Sequence, residues 1–133
     1  MINRILLIDV DIFEDKNDPM LQHYSHHPIG LLYLVSSVRK AFPEISFKVF
    51  HTSTSNDPKA EIESLLLSFD PDLVGLRALS IAKEPFKKIA EKIHELKPFI
   101  HIVAGGPYPS TCYDEILLNG LADITVIGEG EST

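Results

Sequence analysis

Four short stretches of almost unbroken apolar residues, Ile5 to Ile8, Leu73 to Leu76, Ile100 to Ala104 and Ile124 to Ile127, constrain this chain more than any other feature. A strand with one face in water alternates polar with apolar residues, whereas a strand covered on both faces does not. Such runs, separated by segments of helical period, predict a parallel sheet with helices on both sides. The stretch Ser46 to His51 differs, because Phe47, Val49 and His51 alternate with Ser46, Lys48 and Phe50. That pattern places it at an edge.

Helical periods fill the intervals. Pro28 opens the first, in which Leu31, Leu34, Val35, Val38 and Phe42 share one face before Pro43 stops it. Asp57 followed by Pro58 reads as a capped start, with Ile62, Leu65, Leu66 and Phe69 as the buried stripe. Phe86, Ile89, Ala90 and Ile93 repeat the pattern up to Pro98, and a shorter helix from Tyr113 to Asn119 closes at Gly120. Right-handed crossovers then leave few compact windings, and the expected fold is a flavodoxin-like (Rossmann-like) doubly wound α/β sheet of five parallel strands, order 2-1-3-4-5.

With 133 residues, 44% hydrophobic and 23% charged, the chain can bury one core and forms a single domain over 1–133. Its net charge of -7 opposes a phosphate backbone, so nucleic acid is not an expected partner. Cys112 is the single cysteine, which leaves no disulfide, zinc cluster or iron-sulfur ligand set and fits a reducing cytoplasm. No apolar run approaches the ~20 residues that span a bilayer, and Met1 to Asp9 carries no cleavable signal pattern. After the fifth strand the chain reads Gly128-Glu129-Gly130-Glu131-Ser132-Thr133 without a covering fifth helix, which is expected of a fragment of a longer protein.

In an open parallel sheet, ligands gather beyond the carboxyl ends of the strands where the winding reverses, here between strands one and three. The first loop, Val10 to Pro28, far exceeds the ~2 to 6 residues usual for such connections. The third loop holds Arg77, Ala78, Leu79 and Ser80, where Ser80 either caps the next helix or offers its hydroxyl to a ligand. The fourth, Gly105-Gly106-Pro107-Tyr108-Pro109-Ser110, is either a tight turn or a place where a bulky group approaches bare backbone. Gly128 and Gly130 raise the same choice after strand five. His23, His26 and His27 match no zinc spacing and read as solvated, and His51, His94 and His101 are assigned no chemistry. No metal ligand or catalytic residue is expected.

His27-Pro28-Ile29-Gly30-Leu31-Leu32-Tyr33-Leu34 resembles the opening of the first helix in cobalamin-dependent radical S-adenosylmethionine (radical SAM) proteins. Pro71-Asp72-Leu73-Val74-Gly75-Leu76 looks like their third strand. Ala104 to Ser110 is similar to their Gly-Gly-Pro-His-Pro-Ser segment, and Val126 to Glu131 to their fifth strand and its turn. Four motifs in order cover nearly the whole chain. The resemblance implies an N-terminal cobalamin-binding domain, the corrin lying across the carboxyl edge of the sheet and the nucleotide tail entering beside strands one and three. It implies that Ser80, Gly105 and Gly106 line the tail, with Pro107 beside them. The Gly128-Glu129-Gly130 turn would approach the ring, and Asp9 and Asp11 would border the site after strand one.

Cobalamin modules of the mutase type carry Asp-x-His-x-x-Gly after strand one, with the histidine on cobalt and the aspartate orienting it. Here the comparable place reads Asp9-Val10-Asp11-Ile12-Phe13-Glu14, so the resemblance implies a corrinoid without a protein histidine ligand. The family's Cys-x-x-x-Cys-x-x-Cys triad is absent. S-adenosylmethionine and a 4Fe-4S cluster would therefore belong to a downstream radical SAM domain of the parent enzyme, a methyltransferase or cyclase, and this segment alone would not be catalytic.

Two other readings compete. One is a degenerate scaffold or interaction domain that no longer binds cofactor. The other is a signalling receiver, whose acidic site Asp9 and Asp11 imitate, yet its phosphoacceptor position holds Arg77 and Ala78 and its lysine after strand five is missing. A flavin or nucleotide site would want a compact phosphate cradle after strand one, where this loop is long and acidic.

Overall fold

The computed structural model describes residues 1–12 and 28–130. Five parallel strands, β1 (Arg4–Val10), β2 (Ser46–His51), β3 (Leu73–Ala78), β4 (His101–Gly105) and β5 (Ile124–Thr125), form one sheet in the order β2-β1-β3-β4-β5. This is the doubly wound, flavodoxin-like arrangement expected from the apolar runs, and β2, the one alternating strand, is indeed an edge.

Alternate residues of each strand point to opposite faces. Leu6, Ile8, Val10, Val74, Leu76, Ala78, Ile102 and Ala104 build the larger core with helices α2 (Pro58–Ser68) and α3 (Lys83–Leu96) and the short helices α4 (Pro107–Thr111) and α5 (Tyr113–Leu118). The buried stripes of α2 and α3 are Ile62 with Leu66 and Phe86, Ile89, Ala90 with Ile93. Each large apolar side chain fully buried here contributes about 1.5–3 kcal/mol. On the other face α1 (Ile29–Ala41) sets Leu31 and Val35 on Leu7, with Ile5, Phe47 and Val49 packed around them.

Several ends are tied chemically. The Asp57 carboxylate accepts from the Ala60 amide at 3.1 Å, the cap that Asp-Pro foreshadowed. Gly120, at φ 64, ends α5 with paired bonds from the Gly120 amide to the Leu117 carbonyl (3.1 Å) and from the Leu121 amide to the Ile116 carbonyl (3.0 Å), where only glycine enters the left-handed region freely. Asp72 accepts from the Asn3 and Arg4 amides at 2.8 and 2.9 Å, and these two bonds hold its carboxyl below the usual range.

Some boundaries depart from the sequence reading. β1 and β3 run further than the apolar runs, so Val10, Arg77 and Ala78 are strand residues and the first loop begins at Asp11. Most of that loop, including His23, His26 and His27, lies outside the described residues. β5 is two residues long, although the Val126 amide still donates to the Ala104 carbonyl at 2.8 Å. Phe42, placed on the buried stripe by period, is 53% exposed, because α1 ends at Ala41 and Phe42 turns to an extended φ of -135. The proline-rich segment 107–111 is helical, since Pro107 and Pro109 occupy first-turn positions whose N–H groups would have no partner anyway.

Candidate functional site

Parallel pairing in register sets three polar side chains in a row at the carboxyl ends of β2, β1 and β3. Asp9 stands beside His51 on one side and Arg77 on the other. By strand alternation all three share the α1 face with Leu7 and Val49. Asp9 is buried, its Oδ1 accepts from Arg77 Nη1 at 2.9 Å, and its Oδ2 lies 3.4 Å from His51 Nδ1. His51 Nδ1 is also 3.4 Å from the Asp9 carbonyl, and its Nε2 is buried without a partner among the described residues. A lone ionised carboxylate in that position would be costly, and the guanidinium offsets the charge.

Next to this row, β1 is fastened to the turn after β2. The Asp11 amide donates to Thr52 Oγ1 at 2.8 Å, and the Asp11 carboxylate accepts from the Ile12 amide at 2.8 Å. Thr52 is fully buried, in a short 3-10 turn over Thr52–Thr54. Asp11 is therefore a half-buried, locally engaged carboxylate beside the row.

Gly106 forms the junction between the third and fourth loops. It takes φ 95, and a Cβ there would lie 2.9 Å from Arg77 Cγ and 3.1 Å from the Ala78 carbonyl oxygen. Only glycine allows that approach. Gly105 differs: it is half-buried, yet a Cβ would meet nothing among the described residues within 4 Å. Packing among the described residues does not need glycine at 105, and they leave the space beside that backbone open. Gly128, at φ 79 with open space at its Cβ, donates its amide to Ser110 Oγ at 3.2 Å, which ties the fifth loop to α4.

These contacts place the fifth loop, α4 and the end of β3 along one edge. Pro107 is exposed at the first position of α4, Glu129 is exposed and Gly130 half-buried beside Val126. Ser80 is exposed in a 3-10 turn, Ser80–Ala82, and caps neither that turn nor α3, so the capping role considered for it is not seen. A hollow lined by Pro71, Leu96, Pro98 and Phe99 lies at the opposite, amino edge.

Two residues of this region escaped the sequence reading. The sequence assigns His51 no chemistry, and it sets Arg77 in the third loop and against a receiver site without giving it a ligand role. Each ends or nearly ends its strand with a polar group, and parallel register with Asp9 was the signal that would have joined them. Tyr108 lies in the segment that the sequence offers as a tight turn or a ligand approach, yet it is 1% exposed, packs edge-on against Phe86 at 5.3 Å between ring centroids, and has a hydroxyl without a partner among the described residues. Burial pushes that phenol up from its ordinary value. Among the described residues no three His, Cys, Asp or Glu side chains converge as a metal site, and no helix is long and apolar enough to cross a membrane.

Comparison with known proteins agrees with the fold. The RcsB response regulator of Salmonella typhimurium shares the fold at a TM-score of 0.61 and 15% identity, over 100% of this chain and 56% of that one. An uncharacterized methyltransferase of Pyrococcus horikoshii, PH0819, is 31% identical over 108 residues, spanning 80% of this chain and 23% of that protein. The chain thus covers about a quarter of its relative's length. Residues 23–133 match the B12 binding domain, and the chain belongs to the B12-binding domain family.

Proposed function

We propose that the chain holds a corrinoid at the carboxyl edge of its sheet and presents it to a downstream radical SAM domain in a longer cytoplasmic protein. The observation that carries this reading is Gly105, half-buried but with nothing among the described residues within 4 Å of where a Cβ would be. An open strip of backbone at the carboxyl end of β4 is what a large planar ligand needs for close approach. Gly105, Gly106 and Pro107 would meet it from one loop, Gly128, Glu129 and Gly130 from another, and Ser80 from the third, with Asp9 and Asp11 bordering the site.

No histidine occupies the residues Asp9 to Ile12, and His51 Nδ1 faces Asp9. These features support a corrinoid held without a protein imidazole on cobalt. A bound corrinoid would supply methyl-transfer or radical chemistry, for which this chain contributes binding and orientation. The methyltransferase name of the Pyrococcus relative supports the first of these. S-adenosylmethionine and a 4Fe-4S cluster would bind elsewhere in the parent protein.

One observation favours a second reading, a scaffold that has lost the cofactor: the Asp9–Arg77 pair bridges the crevice between β1 and β3. Mixing the protein with hydroxocobalamin and recording visible spectra after gel filtration separates the two. A corrinoid spectrum eluting with the protein supports the first, and a protein fraction without it leaves the scaffold.

A further inference from the structure

Arg77 is held by one arm only. Its Nη1 donates to the buried Asp9 at 2.9 Å, while the side chain remains 31% exposed and its other N–H groups have no protein acceptor among the described residues. A guanidinium carries five donors in a rigid fork, so the described residues leave most of its donor capacity open. The fork's position is fixed from two directions. Asp9 anchors the head, itself flanked by His51, and the Arg77 Cγ lies against the backbone of Gly106, where a Cβ would come within 2.9 Å. A pre-positioned guanidinium loses little freedom when it binds an oxyanion, and its planar fork matches a phosphate.

Its place matters as much as its geometry. The Asp9–Arg77 pair spans β1 and β3, where the winding of the sheet reverses and ligands enter. Of the described acids beside it, Asp9 is engaged by Arg77 and Asp11 by the Ile12 amide. An anion reaching this point of a chain with net charge -7 meets Arg77 as the available cation of the row.

We propose that Arg77 binds the phosphodiester in the nucleotide tail of the corrinoid, with Asp9 and His51 as positioning residues that hold the guanidinium open toward the crevice. This rests on the corrinoid reading and specifies which part of the ligand occupies the β1–β3 boundary. Cobinamide has the corrin ring but lacks the whole nucleotide tail, phosphodiester, ribose and base, so the share of the cobalamin preference that is lost on changing Arg77 reports the contact.

The test measures binding of hydroxocobalamin and of cobinamide by the native chain and by the double variant Asp9→Asn with Arg77→Met, which removes both charges and leaves no buried carboxylate unpaired. The native chain should prefer cobalamin to cobinamide by at least about tenfold, the size expected of a charge-assisted hydrogen bond. In the variant the ratio of cobalamin to cobinamide affinity should fall by about that factor, whatever change cobinamide binding itself undergoes. Arg77→Lys, which keeps the charge and loses the fork, should give an intermediate preference and provides the measurement if the double variant does not fold. Equal binding of the two corrinoids by the native chain, or an undiminished preference in the variants, would overturn the Arg77 contact alone. Inorganic phosphate binding that is lost in the Arg77 variants, with the cobalamin preference unchanged by them, would reassign the site to free phosphate and reject the tail. If the native chain retains neither corrinoid, both this inference and the corrinoid reading fall.

Discussion

Arg77 Nη1 donates to Asp9 Oδ1 at 2.9 Å across the boundary between β1 and β3, and the carboxylate it meets is 4% exposed. Two residues far apart in sequence thus meet at the point where the sheet's winding reverses. Removing one partner leaves a buried charge, whereas removing both does not. Arg77→Met should therefore lower unfolding free energy by about 3 kcal/mol, the low end for a broken buried pair because Arg77 keeps some solvent contact. Adding Asp9→Asn should recover much of that loss. Urea denaturation of the single and double variants checks it, and equal losses in both would mean that the pair is not coupled.

The two adjacent glycines should respond differently to substitution. Gly106→Ala places a Cβ 2.9 Å from Arg77 Cγ at a φ of 95 and should cost about 1–3 kcal/mol in stability. Gly105→Ala meets open space and should stay within about 0.5 kcal/mol of the native chain. Gly105→Leu should fold and lose corrinoid retention. Thermal unfolding with the spectral retention assay reads all three, and full retention by Gly105→Leu would remove that loop from the binding rim.

Much of the fold was legible because burial on both faces writes continuous apolar runs, and α2 and α3 carried clean stripes between an Asp-Pro start and a proline stop. The remainder depended on context. Phe42 fitted the period of α1 but falls one residue beyond its end, and Tyr108 is a core residue only because 107–111 coils despite two prolines. The glycines of the rim could be picked out from the sequence, whereas the reasons for them could not: Gly106 is fixed by Ala78 and Arg77, residues of another strand. For the same reason His51 and Arg77 stayed hidden until register placed them beside Asp9.

A pH effect follows from Glu115, which receives Lys87 and Lys83 at 3.0 Å each and thereby joins α5 to α3. Hydrogen bonding from Lys87, then from Lys83, lowers its pKa below the usual glutamate range. A carboxyl whose folded pKa is depressed adds stability that is complete above its unfolded value and is lost as pH falls through the folded one. Glu115→Gln should thus be less stable than the native chain at neutral pH and converge with it in acid. Thermal midpoints measured from pH 7 downward show this, and a constant gap would mean that Glu115 acts by packing instead.

The core should be least tolerant on the face shared by α2 and α3. Leu66 is fully buried there, and Leu66→Ala should cost about 2–5 kcal/mol. Leu67→Ala, next to it but 63% exposed, should change stability by less than about 0.5 kcal/mol. Comparable losses from the two in chemical denaturation would contradict the orientation of α2.

Backbone amide shifts recorded while hydroxocobalamin is added to the isotopically labelled protein give the most direct test of corrinoid binding at the carboxyl edge. The largest changes are predicted at Arg77 to Ser80, at Gly105 and Gly106, and at Gly128 to Gly130. Changes centred instead on the amino edge around Leu96 and Phe99, or no changes at all, would contradict it.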